Sequence, residues 1–446
     1  MRQRYIFWFW VPLFASWLLM SAEGPLISAA INRLPEEVIM LAAMGIVTSL
    51  SVTIESPIIN LLATSTALVR DHDSYLLVRR FTIQWCAALT LVAILVAYTS
   101  LFDLIVYQWL DVPDAIAEWV RPGMKIMVFW TAAIGWRRFL QGIMIRNKQT
   151  RFIAYGTVVR LIASGGTVIV LALWGQWPGV IIGSLGLLAG VVAEATYATI
   201  TARPIIRTHL SPQSAPAPAT TSEPLTSRSL FWFHLPLAAT SVLLLMVQPL
   251  VTSSLARLDQ PTASLAAWPV VFQIMLMARA AAMALPEMII ALHQDVSTFN
   301  PLRRFSFSLT MASTLAIVAF VFTPLATWYI FGVQDMTQEV GELALSSLTW
   351  FLLYPALTVI TSWLRGLLIQ GRHTRFVNVG MGINLVITAG MLAIGVWARW
   401  PGLPAAALAL NLASIGEVIY LSWRMQQVLP IGISLLGSPR TQPINS

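Results

Sequence analysis

The chain is 446 residues long, with 57% apolar residues, only 10% charged residues and a formal net charge of +8. So few charges cannot cover the surface of a water-soluble protein of this length, which excludes that class and leaves an integral membrane protein. The positive balance does not point to nucleic acid, because the basic residues sort by side of a membrane rather than clustering in one patch.

Apolar stretches of about 20 residues, each long enough to cross a hydrocarbon core of about 30 Å as a helix, recur along the whole chain. They predict spans near 6–31, 38–69, 77–101, 115–145, 152–174 and 178–202, then 229–255, 262–293, 302–331, 339–369, 376–397 and 402–425. The expected fold is all-α, with twelve transmembrane helices in two six-helix halves. The opening Met-Arg-Gln-Arg and its apolar run resemble a signal peptide, but their twin begins at Phe231 inside the chain, so they are read as the first span.

That twin belongs to a longer duplication. A constant offset of 224 carries Phe7, Trp8, Pro12, Pro25, Arg33 and Leu34 onto Phe231, Trp232, Pro236, Pro249, Arg257 and Leu258. It also carries Arg79-Arg80-Phe81 onto Arg303-Arg304-Phe305 and Thr150-Arg151-Phe152 onto Thr374-Arg375-Phe376. After one deletion an offset of 223 carries Trp177-Pro178-Gly179 onto Trp400-Pro401-Gly402 and Glu194 onto Glu417. Shared apolarity does not place rare Trp, Pro, Arg and Glu in one register over such a length. An even number of spans per half gives both halves one orientation, related by an axis along the membrane normal.

The first span holds Glu23, Gly24 and Pro25, and Pro249 recurs in its copy. Proline removes a backbone hydrogen bond and bends a helix, so Pro25 and Pro249 are candidate hinges, although packing kinks alone would account for them. The second span carries Glu55 and Asn60 near mid-membrane; its copy carries Arg279 at the position of Glu55, and then Glu287. Charges at that depth are costly and normally face protein or a water-filled cavity. Glu55 and Arg279 are therefore expected to face each other across a space between the halves, as a transport site or as a static clamp.

Arg160 in the fifth span and Glu194 in the sixth lie at similar depth, which predicts a structural ion pair in the first half. Their counterparts are Asn384 and Glu417, so Glu417 is expected to lack a cation and to titrate more freely. The segments 136–152 and 363–376 are short and basic and read as anchors to an anionic leaflet. Arg70, Arg79, Arg80, Arg137, Arg138, Arg146, Arg303, Arg304 and Arg365 are assigned to the cytoplasmic side, while Glu36, Asp103, Asp111, Asp259 and Asp335 fall on the other. Both termini are then cytoplasmic, in a multi-pass protein of the cell membrane.

Residues 208–228, rich in Pro, Ser, Thr and Ala, read as a linker between an N-terminal lobe, 1–207, and a C-terminal lobe, 229–428, with a tail at 429–446. Cys86 is a lone cysteine in an apolar run, so no disulfide forms within the chain. There is no P-loop, no nucleophile elbow and no metal-ligand spacing among the five histidines, so no enzyme, metal or cofactor is expected.

Two parallel six-helix halves, a proline-bent first helix in each and a linker after the sixth resemble the MATE transporters of the superfamily that also contains oligosaccharidyl-lipid and polysaccharide exporters. Within it the chain is most similar to the progressive ankylosis type, on Trp10-Val11-Pro12-Leu13 and His234-Leu235-Pro236-Leu237, Glu23 to Asn32-Arg33, Gln248-Pro249-Leu250-Val251 and Gly416-Glu417. The resemblance implies a V-shaped pair of lobes, alternating access and export driven by a proton or sodium gradient. Glu23, Glu55 and Glu417 become candidate ion-coupling carboxylates; Arg279, Glu287, Gln248 and Asn60 become candidate substrate or gating contacts. The resemblance also implies anionic cargo such as pyrophosphate, ATP or citrate, which Arg279 would suit, whereas a cavity dominated by Glu23, Glu55 and Glu287 would suit cations or cationic drugs. The carrier is expected to be a monomer in the lipid bilayer. The alternative is a flippase for lipid-linked sugars, which a cavity with only Arg279 and Arg160 at membrane depth would disfavour. A membrane scaffold gains nothing from groups so costly to bury.

Overall fold

The structure, a computed structural model, describes residues 2–147, 149–210, 225–293, 296–371 and 373–428. Most of the linker and the whole C-terminal tail proposed above lie outside the described residues, as do Lys148 and Arg372. Helices dominate throughout, and no strand occurs among the described residues.

The first half consists of α1 (Gln3–Ile31), α2 (Glu37–Leu68), α3 (His72–Tyr98), α4 (Asp114–Met127 continuing in Trp130–Arg146), α5 (Arg151–Trp174) and α6 (Gly179–His209). The second consists of α7 (Ser227–Arg257), α8 (Pro261–Leu292), α9 (Ser297–Phe322), α10 (Gln338–Phe351 continuing in Tyr354–Gln370), α11 (Thr374–Trp397) and α12 (Gly402–Val428). Ten of these are long and apolar enough to cross a membrane, and an eleventh if the two segments of α10, bent by 46°, count as one span. The remaining element, α4, consists of segments of 14 and 17 residues, each shorter than the about 20 residues that a crossing needs, and carries Arg137 and Arg138 in the second. The chain is thus a multi-pass membrane protein with both ends of its described length at one face, here the terminal face; the opposite face is the distal one.

Element bounds repeat between the halves with the offset of 224 residues. Glu37–Ile59 and Leu61–Leu68 match Pro261–Met283 and Leu285–Leu292, and Trp130–Arg146 matches Tyr354–Gln370. A π-helix follows α3 at Leu104–Trp109 and another follows α9 at Trp328–Val333. The left-handed residues match as well: Glu36 with Gln260, Asp111 with Asp335, and Gly175 with Arg399. Backbone conformations that L-residues seldom adopt do not recur at matched positions by composition alone.

α1 breaks at Ala22 and α7 at Met246, each three residues before Pro25 or Pro249. A proline ring excludes the carbonyl four residues back, here Ser21 and Leu245, and these are the last residues of the first segments. Beyond the breaks the helices change neighbours. Before its break α1 packs on the C-terminal half, where Trp10 is buried among Leu285, Phe305 and Leu309 and donates its indole N–H to the Ala281 carbonyl at 3.1 Å. After it, Leu26 and Ile27 pack on Gly165 of α5 and Gly183 of α6. α7 does the converse: His234 sits edge-on to Phe81 and Trp85 of α3, while Leu255 lies against Gly402 of α12. The boundary between lobes therefore passes through α1 and α7, not only through the linker.

Candidate functional site: a charged cavity between the lobes

A cavity of about 650 Å³ lies between the two halves, walled by α1, α2, α4 and α5 on one side and α7, α8, α10, α11 and α12 on the other. At its distal end α2 and α8 cross at Gly45 and Pro269, residues related by the same offset. A Cβ on Gly45 would stand 2.6 Å from the Pro269 Cγ, so this close approach requires glycine.

Glu23, the first residue after the break in α1, points at Arg160 of α5. The guanidinium grips both carboxylate oxygens, with Nε to Oε1 at 3.1 Å and a terminal nitrogen to Oε2 at 2.5 Å. This fork is the strongest geometry available to an arginine and a carboxylate. Glu194, buried on α6, is held instead by Arg137 and by the Gln141 amide, which donates to Oε1 at 3.1 Å. Arg160 reaches Glu194 only at 4.0 Å. The expected Arg160–Glu194 pair is thus the long contact in a chain running Glu23, Arg160, Glu194, Arg137. Arg137 was assigned to the cytoplasmic rim; nine residues inside the end of α4, it stands about 13 Å deep.

In the other half Glu417 on α12 receives the Arg365 Nε at 2.7 Å and the Asn384 amide at 3.0 Å. The expectation that Glu417 lacks a cation is therefore overturned: Arg365, also assigned to the rim, supplies it from one turn and a half inside α10. Arg138, Arg160, Arg279, Arg137 and Arg365 all line the cavity, against Glu23, Glu55 and Glu417. The cavity is more cationic than two arginines at membrane depth would make it, and the objection to a flippase on that ground fails.

Glu55 and Arg279 face the same cavity, but they do not pair among the described residues. The Glu55 Oε2 is buried without a hydrogen-bond partner. Arg279 donates to the Tyr354 hydroxyl at 3.1 Å and lies 4.8 Å from the centroid of that ring; its Nε has no partner. Gln248 lines the cavity and accepts from the Trp268 indole at 3.4 Å. Asn60 and Glu287 are not among the lining residues. The Asn60 amide donates to the Leu237 carbonyl at 2.7 Å and to the Ser241 hydroxyl at 2.5 Å, fastening α7 to α2, while Glu287 lies beside Trp17 of α1. Arg138 and Tyr354 are cavity residues that the sequence did not single out. Among the described residues no group of three or more His, Cys, Asp or Glu side chains is placed to hold a metal ion.

The chain has the fold of the MOP superfamily transporters. Over 93% of its length it superposes on an inward-facing multidrug resistance MATE family transporter, with a TM-score of 0.69, 13% identity and 94% of that chain covered. A similar match joins it to the lipid II flippase MurJ in an inward closed conformation, with a TM-score of 0.70, 14% identity and coverage of 93% and 87%. A MOP superfamily transporter from Pyrococcus furiosus, described as having a binding pocket of reverse polarity, matches with a TM-score of 0.64 at 13% identity and coverage of 94% and 95%. No family model and no curated protein sequence matches this chain.

Proposed function

We propose that the protein is a secondary-active carrier that works by alternating access and takes an anionic organic solute in the central cavity, with Arg279 as the anion contact. The observation that carries this reading is the charge balance of the two walls. Around the first wall Arg137, Arg138 and Arg160 are matched in number by the lining Glu23 and Glu55 and by Glu194, which pairs with Arg137 from behind the lining. On the second, Arg279 and Arg365 face Glu417 alone, Glu287 standing outside the cavity beside Trp17. One positive charge is left over, on a guanidinium held only by a tyrosine. A bare cation at membrane depth costs several kcal/mol, and a phosphate or carboxylate fork from the cargo would offset that cost.

Glu23 and Glu55 serve as ion-coupling carboxylates in this reading, and Glu417 stabilises the second wall. The driving ion is a proton or sodium. The terminal face, rich in Arg79, Arg80, Arg303 and Arg304, lies in the cytoplasm, so the chain rests with its distal side closed to the exterior. Similarity to the progressive ankylosis type supports pyrophosphate or citrate as cargo. Five arginines on the cavity wall support a second reading, a flippase for a lipid-linked phosphate.

The test is uptake into inverted vesicles of labelled pyrophosphate and citrate beside a cationic dye, with and without a proton or sodium gradient. Gradient-dependent anion uptake that falls at least tenfold in Arg279→Ala is the expected result. Dye uptake without anion uptake would overturn it, and movement of a fluorescent polyprenyl phosphate alone would select the flippase.

A further inference from the structure

At the distal face, residues that the transport reading leaves unused join the two lobes twice. Arg33, at the end of α1, donates to the Val333 carbonyl at 2.9 Å and the Gly332 carbonyl at 3.4 Å, and its Nε stands 3.8 Å from Asp335. Arg257, its counterpart at the end of α7, donates to the Trp109 carbonyl at 2.5 Å and the Gln108 carbonyl at 3.5 Å, with Asp111 at 3.6 Å. The carbonyls belong to the last turn of each π-helix, where backbone acceptors have no partner of their own and a cation is favoured. Each aspartate is one of the left-handed residues, with φ of +57° at Asp111 and +54° at Asp335. Two rare backbone features and an arginine therefore meet across the lobe boundary, once in each direction.

The two arms differ in two respects. On the Arg257 side the Ser253 hydroxyl also donates to the Trp109 carbonyl at 3.0 Å in an exposed bond, where the Arg33 side has Ala29. On the Arg33 side a buried glutamine adds a further tie. Gln334, fully buried after the second π-helix, accepts from the Ser28 hydroxyl at 2.8 Å and donates to the Pro25 carbonyl at 3.2 Å. The matching residue after the first π-helix is Leu110, which has no side-chain polar group to offer α7. Separating the lobes on the Arg33 side would break both of these bonds and leave the buried Gln334 amide oxygen without its donor, a cost with no buried counterpart on the Arg257 side. Pro25 stands two residues from Glu23 on one rigid nine-residue half-helix.

We propose that Arg33 and Arg257 are the two arms of a distal gate, each capping the π-helix of the opposite lobe, and that Gln334 is a positioning residue tying this gate to the half-helix that carries Glu23. The gate serves the alternating access proposed above, but its contacts and its test do not depend on any substrate.

The test uses Thr48→Cys, on the distal part of the cavity wall, in a Cys86→Ala background, with an impermeant thiol reagent applied to vesicles of each orientation. Replacing both arginines by glutamine should raise labelling from the distal side about tenfold, the order of one lost inter-site coupling. Lysine at both positions keeps the charge without the fork and should give an intermediate rise; unchanged labelling in both the glutamine and the lysine pairs overturns the gate. For Gln334, Glu23→Gln should change distal labelling in the native background and leave it unchanged beside Gln334→Leu, which copies Leu110. An equal effect of Glu23→Gln in both backgrounds overturns the tie.

Discussion

Glu194 and Glu417 occupy one position in two lobes, yet different arginines hold them. In the first lobe the partner is Arg137, with Gln141 assisting; in the second it is Arg365, which stands where Gln141 does, while Thr361 takes the place of Arg137. The two arginine positions are four residues apart, one helical turn on the same face, so either reaches the same carboxylate. Glu23 and Arg160 show the complementary case, since Val247 and Asn384 replace both members together. The lobes preserve neutrality at this shared acid position rather than the residue that provides it. The difference also shows where neutrality is broken, at Arg279.

The largest effect tests that contrast directly. Arg137→Ala strands Glu194, whose side chain is 1% exposed, and should cost about 3–5 kcal/mol. Arg365→Ala should cost about 1–3 kcal/mol, because Arg365 is 22% exposed and both water and Asn384 can stand in. Thermal unfolding of the purified protein in detergent measures both, and equal losses would break the comparison. Moving the cation by one turn sharpens it. Gln141→Arg added to Arg137→Thr copies the second lobe and should recover at least half of the stability lost in Arg137→Thr alone; no recovery would mean that position, not charge, is what the fold requires.

Removing a whole pair should cost less than removing half of one. Glu23→Val with Arg160→Asn copies the second lobe at both positions, and replacing a buried ion pair by fitting neutral groups is often nearly neutral, here within about 1 kcal/mol. The fold should survive while gradient-driven flux is lost. Flux that keeps its dependence on the gradient would remove Glu23 from the coupling role and leave Glu55 to carry it.

The sequence made much of this legible for a physical reason. Charges inside apolar runs are rare, so Glu23, Glu55, Arg160, Arg279 and Glu417 announced a cavity, and all of them line it. The duplication, too, could be read without coordinates. Asn60 misled because nearness in sequence is not nearness on a helix: five residues beyond Glu55 is about 140° around the axis, toward α7 rather than the cavity. Arg137 and Arg365 were missed because a basic residue near a span's end reads as an anchor until the packing of α4 on α6, or α10 on α12, shows an acid beside it. Gln334 gave no signal, since it lies in a short connection whose π-helical path no periodicity reveals.

The smallest expected effect compares two caps outside the membrane. Asp71 caps α3 by accepting from the Ser74 N–H at 2.9 Å, and Thr226 caps α7 by accepting from the Ser229 N–H at 3.2 Å, each in a reciprocal capping box. Alanine at either position should cost about 1 kcal/mol near neutral pH. The backbone bond from Ser74 holds the Asp71 carboxyl below its ordinary value of 3.8. A carboxyl lowered on folding contributes stability that is fully present above its unfolded value and is lost as pH falls through the folded one. The gap between native protein and Asp71→Ala should therefore be constant above about pH 5 and shrink as the pH drops through the carboxylate range, while the gap for Thr226→Ala should not change with pH. Parallel gaps for the two variants in acid would show that Asp71 acts through the geometry of its cap and not through its charge.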